Sequence, residues 1–340
     1  MKNETRGLLL VGACLALALL AVPAAVARQT ESTLWITLGD IDQLVEADPY
    51  TFKEIRRITT DPRLHGLAIS RDGSKVYVAS DKTGNFQIID ARKGAVVNQI
   101  ELGKDPNQLT LTRDGRFAYV PLRGEDAIAV VQLEPLALVK KIPVPKGPHD
   151  AYTSWDGSRI FVGAQYGNAV IVMDPLKQSL LYNLKTEDGV RPLAPTRDGR
   201  TIYAALSNLI GFVVVDSEKG VTRKVELGTL PEGLPRPYLE TFTHALHLSP
   251  DERELWVSDC INDLIRIVSL PDMKETAQIR VGHFPHWFTM RSDGKVLFVS
   301  LWYSDAVAAI DIASRKVLAN MQFARQSGPK RIAVAPKVSR

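Results

Sequence analysis

The chain has 340 residues, 45% of them hydrophobic, and its 42 basic residues nearly cancel its 38 acidic ones to leave a net charge of +4. So weak a charge, with the basic residues scattered, argues against nucleic-acid wrapping and against a polybasic membrane patch. The two cysteines, Cys14 and Cys260, are too few for a disulfide framework or a Cys-x-x-Cys zinc framework, and no Cys-x-x-Cys-His marks c-type haem.

Lys2 and Arg6 open the chain, an apolar run from Leu8 to Val22 follows, Pro23 breaks it, and Ala25-Val26-Ala27 supplies small residues for cleavage. This pattern predicts a signal peptide over residues 1–27 and a periplasmic or extracellular location after its removal. The run is shorter than the roughly 20 residues of a spanning helix, so no membrane span is expected in the mature chain. Cleavage also removes Cys14. Residues 28–340 are then expected to form one large domain held by packing, without an internal disulfide.

The rest of the chain repeats itself. Asp72-Gly73, Asp114-Gly115, Asp156-Gly157 and Asp198-Gly199 are tight-turn signals 42 residues apart, each between alternating apolar segments. Pro250-Asp251 takes the same place 53 residues after Asp198, and Asp293-Gly294 follows 42 residues later. Four short strands flank each turn, expected in the first full unit at 66–70, 75–80, 86–90 and 96–102. Strands this short bury their faces and edges by stacking radially, which predicts an all-β, seven-bladed β-propeller with four-stranded blades. Segments 34–38, 43–47 and 53–58 supply three strands of the seventh blade, and 331–335 from the other terminus closes the ring. Six or eight blades are the alternatives.

The second strands, Val76-Tyr77-Val78-Ala79-Ser80, Ala118-Tyr119-Val120 and Ile160-Phe161-Val162, resemble the YVTN-type propeller repeat of secreted bacterial and archaeal proteins. Ala79-Ser80 and Pro121-Leu122 stand where the literal motif has Thr-Asn. Within the broader group, the chain also resembles propellers that hold noncovalent d1 haem, the copper-binding propeller of nitrous oxide reductase, and the propeller lactonases. A fold shared so widely does not select an activity.

Counting back seven residues from each turn gives one column at the start of every first strand. It reads His65, Asn107, His149, Arg191, His244 and His286, with Lys330 from the closing blade. Four of the six histidines fall in it. Such a ring of imidazoles and cations suits a polar pocket at the channel mouth. The competing reading is that each histidine ties neighbouring strands together. Tyr166, Trp302 and Tyr303, on loops between second and third strands, are expected on the same face as aromatic walls. An eleven-residue insertion within 228–242, with Pro231, Pro235 and Pro237, brings Tyr238 and Phe242 to that face as a partial lid. Asn85, Asp126, Asn168, Asp263 and Asp305 recur before the third strands and are expected to cap turns.

Three functional readings follow. The first is an exported, monomeric binding or scaffold propeller taking a small molecule, glycan or protein at the mouth. The second is a periplasmic redox or cofactor propeller. There His65, His149, His244 and His286 ligate a metal ion or noncovalent haem, while Arg191 and Lys330 pair cofactor carboxylates. Asn107, Arg191 and Lys330 break the fuller histidine ring that the resemblance to the copper family implies. The third is a lactonase-like hydrolase using Glu125, Asp150 or Asp259 as acid or base. His247 is expected in the core, His283 behind His286, and Cys260 offers a thiol with no identifiable base. No catalytic residue is assigned, because no triad or carboxylate pair can be recognised.

Overall fold

The computed structural model describes residues 32–230 and 241–337. The expected signal peptide and the Pro231–Tyr238 part of the insertion lie outside the described residues. The rest is seven four-stranded antiparallel sheets arranged as blades. Blade 1 joins Pro329–Pro336 from the C-terminus to Ser32–Leu38, Gln43–Asp48 and Lys53–Thr59. Blades 2 to 7 follow in chain order, their first strands beginning at Leu64, Thr110, Pro148, Val190, Leu246 and Pro285. The closing strand pairs with Ser32–Leu38, Leu34 facing Val334 and Ile36 facing Ile332.

Burial follows strand position. Second and third strands are buried on both faces, as in Ile160–Ala164 and Ala169–Asp174, whereas fourth strands such as Ala95–Glu101 are largely exposed. Seven apolar clusters fill the seven gaps between neighbouring blades. One, around Leu34, Val45, Phe298 and Val307, seals blade 7 against blade 1. The ring is therefore closed by side-chain packing as well as by the strand ladder.

Two sets of bulges repeat with the blades. The first lies between third and fourth strands, at Glu46/Ala47, Ile88/Ile89, Val130/Val131, Val172/Met173, Val214/Val215, Ile267/Val268 and Ala309/Ile310. The second breaks the ladder of the first strands at Leu64/Gly66, Pro148/Ala151, Val190/Leu193 and Pro285/Trp287. His65, His149, Arg191 and His286 sit inside that second set. A bulge frees residues from the ladder and re-aims their side chains. Those four members of the column read from the sequence are thus backbone irregularities of the first strands.

The loop residues before the third strands brace neighbouring segments. Asp126, Asn168, Asp263 and Asp305 adopt left-handed φ of 47–58°, a conformation Asn and Asp tolerate. Asp305 Oδ1 accepts hydrogen bonds from the backbone N–H of Ser327 and Gly328, and Asp126 Oδ1 from that of Gly147. Capping is their structural role.

Candidate functional site: the channel mouth

A pocket of about 370 Å³ opens on the face that carries the column. His65, Arg191, His244, His286 and Lys330 line it from five blades, joined by Arg63, Asp81, Arg123, Thr241, Phe284, Trp302 and Tyr303. Of the remaining sequence-derived residues, His149 and Asn107 are fully buried and do not line it. Tyr166 is 59% exposed and packs against Gly147 outside it. Phe242 is buried, which places it beneath the surface rather than across the opening.

The histidines serve both the ring and the pocket. His244 Nδ1 donates to the carbonyl of His286 (3.0 Å), and His286 Nδ1 to that of Lys330 (3.3 Å). Each bond ties one blade to the next. His65 Nδ1 instead meets the Asp81 carboxylate at 3.1 Å. With Nδ1 engaged, Nε2 is the nitrogen left for a ligand. The rings of His244 and His286 stack at 3.9 Å between centroids, while His149 stands 5.5 Å from His65 and 5.9 Å from His244. Burial lowers the pKa of all four, and the neighbouring cations reinforce this for His65, so they are neutral at pH 7.

One layer below, three residues that each follow a column position, Asp150, Trp287 and Arg331, come together. Arg331 on the closing strand reaches across the ring to Asp150 of blade 4, Nη2 to Oδ1 at 2.7 Å, and gives its Nε–H to the His65 carbonyl at 3.1 Å. Its guanidinium lies 3.8 Å from the Trp287 ring centroid. Trp287 therefore belongs to this lower layer, not to the pocket wall. Burial pushes the Asp150 carboxyl up, but Arg331 and then His149 more than reverse this, and it stays below the usual carboxylate range. His149 Nδ1 is 3.0 Å from Asp150 Oδ1 but off the angle a hydrogen bond needs. Together these groups floor the pocket with a buried polar layer. Its signal in the sequence is a second column offset by one residue, carrying Asp150, Trp287 and Arg331.

The pocket's charge is lopsided. Arg63, Arg123, Arg191 and Lys330 line it against the one carboxylate of Asp81. Asp81 is held by Arg63, Nε to Oδ1 at 3.0 Å, and burial raises its pKa. Arg123 is set by Asp105 (Nε to Oδ2, 2.7 Å). Lys330 is 4% exposed, and its Nζ stands 4.7 Å from the Trp302 ring centroid. Burial lowers its pKa to about 8. In the same lining, Phe284, Trp302 and Tyr303 pack on one another at centroid distances of 5.1–5.8 Å.

Among the described residues the ligating atoms that gather closely are those of His65, Asp81 and Asp105, not of the four column histidines. Both carboxylates of that trio already pair with arginines, which leaves little charge for a cation. The acid–base candidates are also placed elsewhere. Glu125 pairs with Lys141 on the rim, Asp259 is buried against Arg266, and Asp150 lies in the floor. Cys260 is buried and donates to the Pro285 carbonyl, and burial pushes its thiol up to about 12. His283 is half-exposed on Asp263, and His247 lies at a groove on the hairpin face.

Fold and site together define a seven-bladed β-propeller with a cationic, aromatic-walled pocket at one mouth of its channel. A family model described as "Lactonase, 7-bladed beta-propeller" matches residues 173–335. No curated protein sequence matches the chain. Among solved structures, Kuenenia stuttgartiensis hydrazine synthase is 17% identical with a TM-score of 0.72, over 83% of this chain and 92% of that one. A Bacteroides fragilis protein described as a candidate 6-phosphogluconolactonase is 16% identical with a TM-score of 0.71, over 90% and 98%. The dihydro-heme d1 dehydrogenase NirN, in complex with DHE, is 15% identical with a TM-score of 0.63, over 89% and 75%. At such identities the likeness shows the fold alone.

Proposed function

We propose that this is an exported propeller that binds a small organic anion, a carboxylate or its like, at the channel mouth. The observation that carries the reading is the set of four fixed cations, Arg63, Arg123, Arg191 and Lys330, around a pocket whose lining holds one carboxylate. Charge-assisted hydrogen bonds from guanidinium and ammonium groups are the strong ones, and the aromatic wall limits the competing water. The pocket's size suits a compact ligand, with the buried layer of Arg331 and Asp150 as its floor.

Calorimetric titration with acetate and with sulfate tests this. Both are expected to bind the purified protein, and Arg123→Gln to weaken each by about 10- to 100-fold, the worth of one charge-assisted hydrogen bond. Arg253→Gln, on an exposed hairpin of the opposite face, is expected to change nothing. No binding of either anion, or a preparation that arrives loaded with haem or a stoichiometric metal, overturns the reading.

Lactone hydrolysis is a second use of the same pocket, favoured by the family match and by the His65–Asp81 pair. Asp81 orients a neutral His65, whose Nε2 takes a proton from water as the oxygen attacks the lactone carbonyl. The cations steady the oxyanion; as it collapses the ring C–O bond breaks, His65 returns its proton to the leaving oxygen, and the cations hold the product carboxylate. A lactone panel turned over no faster than in buffer removes this reading and leaves anion binding intact.

A further inference from the structure

We propose that Lys330 is a reactive amine, which condenses reversibly with the carbonyl of a 2-oxo acid held in the mouth pocket. The inference rests on the anion-binding reading, since the guanidiniums that line the pocket are what would hold the acid's carboxylate.

The geometry sets Lys330 apart from the other pocket cations. Arg63 donates from Nη2 to Asp81 Oδ2, and Arg123 from Nε to Asp105 Oδ2. Lys330 lines the pocket at 4% exposure, and among the described residues its Nζ has neither a hydrogen bond nor an ion pair, only the face of Trp302 at 4.7 Å. Its position is fixed from behind: the Lys330 carbonyl accepts from Ser300 Oγ at 2.8 Å and from His286 Nδ1, and Gly39 packs against its aliphatic stem. The charged groups that face it are Asp81 and Asp40, which favour the ammonium, and Arg331 and Arg63, which oppose it. Burial outweighs the carboxylates, and with a pKa near 8 roughly a tenth of the side chain is free amine at pH 7. A desolvated lysine beside other cations is the arrangement that makes an amine nucleophilic at neutral pH.

The step balances within the pocket. Lys330 gives up one proton, and the Nζ lone pair then attacks the carbonyl carbon as the C=O π pair moves to oxygen. A second nitrogen proton transfers to that oxygen. The first proton, taken up by Asp81 beside the amine, returns to the oxygen, which leaves as water. A protonated imine remains, with nothing oxidised or reduced. The 2-oxo acid supplies the carbonyl, and its carboxylate supplies the anchor.

Borohydride trapping decides the matter. Full-length protein is incubated with pyruvate, reduced with sodium borohydride, digested and mapped by mass spectrometry, with pyruvate binding measured in parallel by calorimetry. One reduced pyruvate is expected on the peptide carrying Lys330, blocked by excess acetate and absent from Lys330→Arg and Lys330→Gln, whose melting temperatures verify folding. Labelling that persists at equal yield in both variants, or pyruvate that binds yet leaves no adduct on Lys330, overturns the imine while the anion-binding reading survives. Failure of pyruvate, acetate and sulfate alike to bind overturns both.

Discussion

An ammonium withdrawn from water beside Trp302 costs the native state, and the cost appears as a lowered pKa. For Lys330 the value falls from 10.5 to about 8, so the folded protein favours the neutral amine more than the unfolded chain does. An anion in the pocket works in the other direction and draws the proton back. Affinity for sulfate, which does not titrate in this range, is therefore expected to be full below pH 8. It should decline as pH rises past the free protein's value of about 8, by up to about tenfold per unit, and level off above the higher value reached in the complex. Calorimetry between pH 6.5 and 9.5 reads this directly, and Lys330→Arg, charged throughout, should flatten the profile. A flat profile in the unsubstituted protein contradicts the placement of Lys330 against the ligand. The column that contains Lys330 was visible as a spacing, because seven residues before every turn is a fixed backbone position. Arg63 and Phe284 were not visible as pocket residues. They reach it through loop geometry, such as the left-handed backbone of Arg63 and Phe284, which no spacing rule reports.

At the scale of the element, the closing strand has two roles. Pro329–Pro336 completes blade 1, and the same eight residues deliver Lys330 to the pocket and Arg331 to the floor. Arg331, fully buried, meets Asp150 from the far side of the ring. Removing one member of a buried pair strands the other's charge, at about 3–5 kcal/mol. Arg331→Met is accordingly expected to lower unfolding stability by about that amount in urea melts. Adding Asp150→Asn should return a large part of it. If Arg331→Met alone leaves the midpoint unmoved, the pair is not holding the ring. Ring closure was legible because three strands at one end and one at the other can only complete a blade together. The first-strand bulges were not, since a register shift leaves the alternation of residue types almost intact. In blade 4 the break takes both His149 and Asp150 out of the ladder, and in blades 2 and 7 it takes His65 and His286.

Across the whole molecule, the two faces of the ring use their charges differently. On the hairpin face the carboxylates are consumed locally. Asp72 takes Ser70 Oγ and Ser74 N–H, and Asp114, Asp156 and Asp198 repeat the pattern, which keeps their pKa values low. On the mouth face the cations converge on a shared space from separate blades. That asymmetry followed from the repeat register alone, whereas the sign and depth of the pocket required the side chains. The central claim is that this mouth receives an anion, and a crystal grown with selenate puts it to the test most directly. Anomalous density within hydrogen-bond reach of Lys330 and the Arg63, Arg123 and Arg191 guanidiniums is the predicted result. Selenate sites elsewhere on the surface with none in the mouth, or a metal ion seated on His65, Asp81 and Asp105, would contradict it.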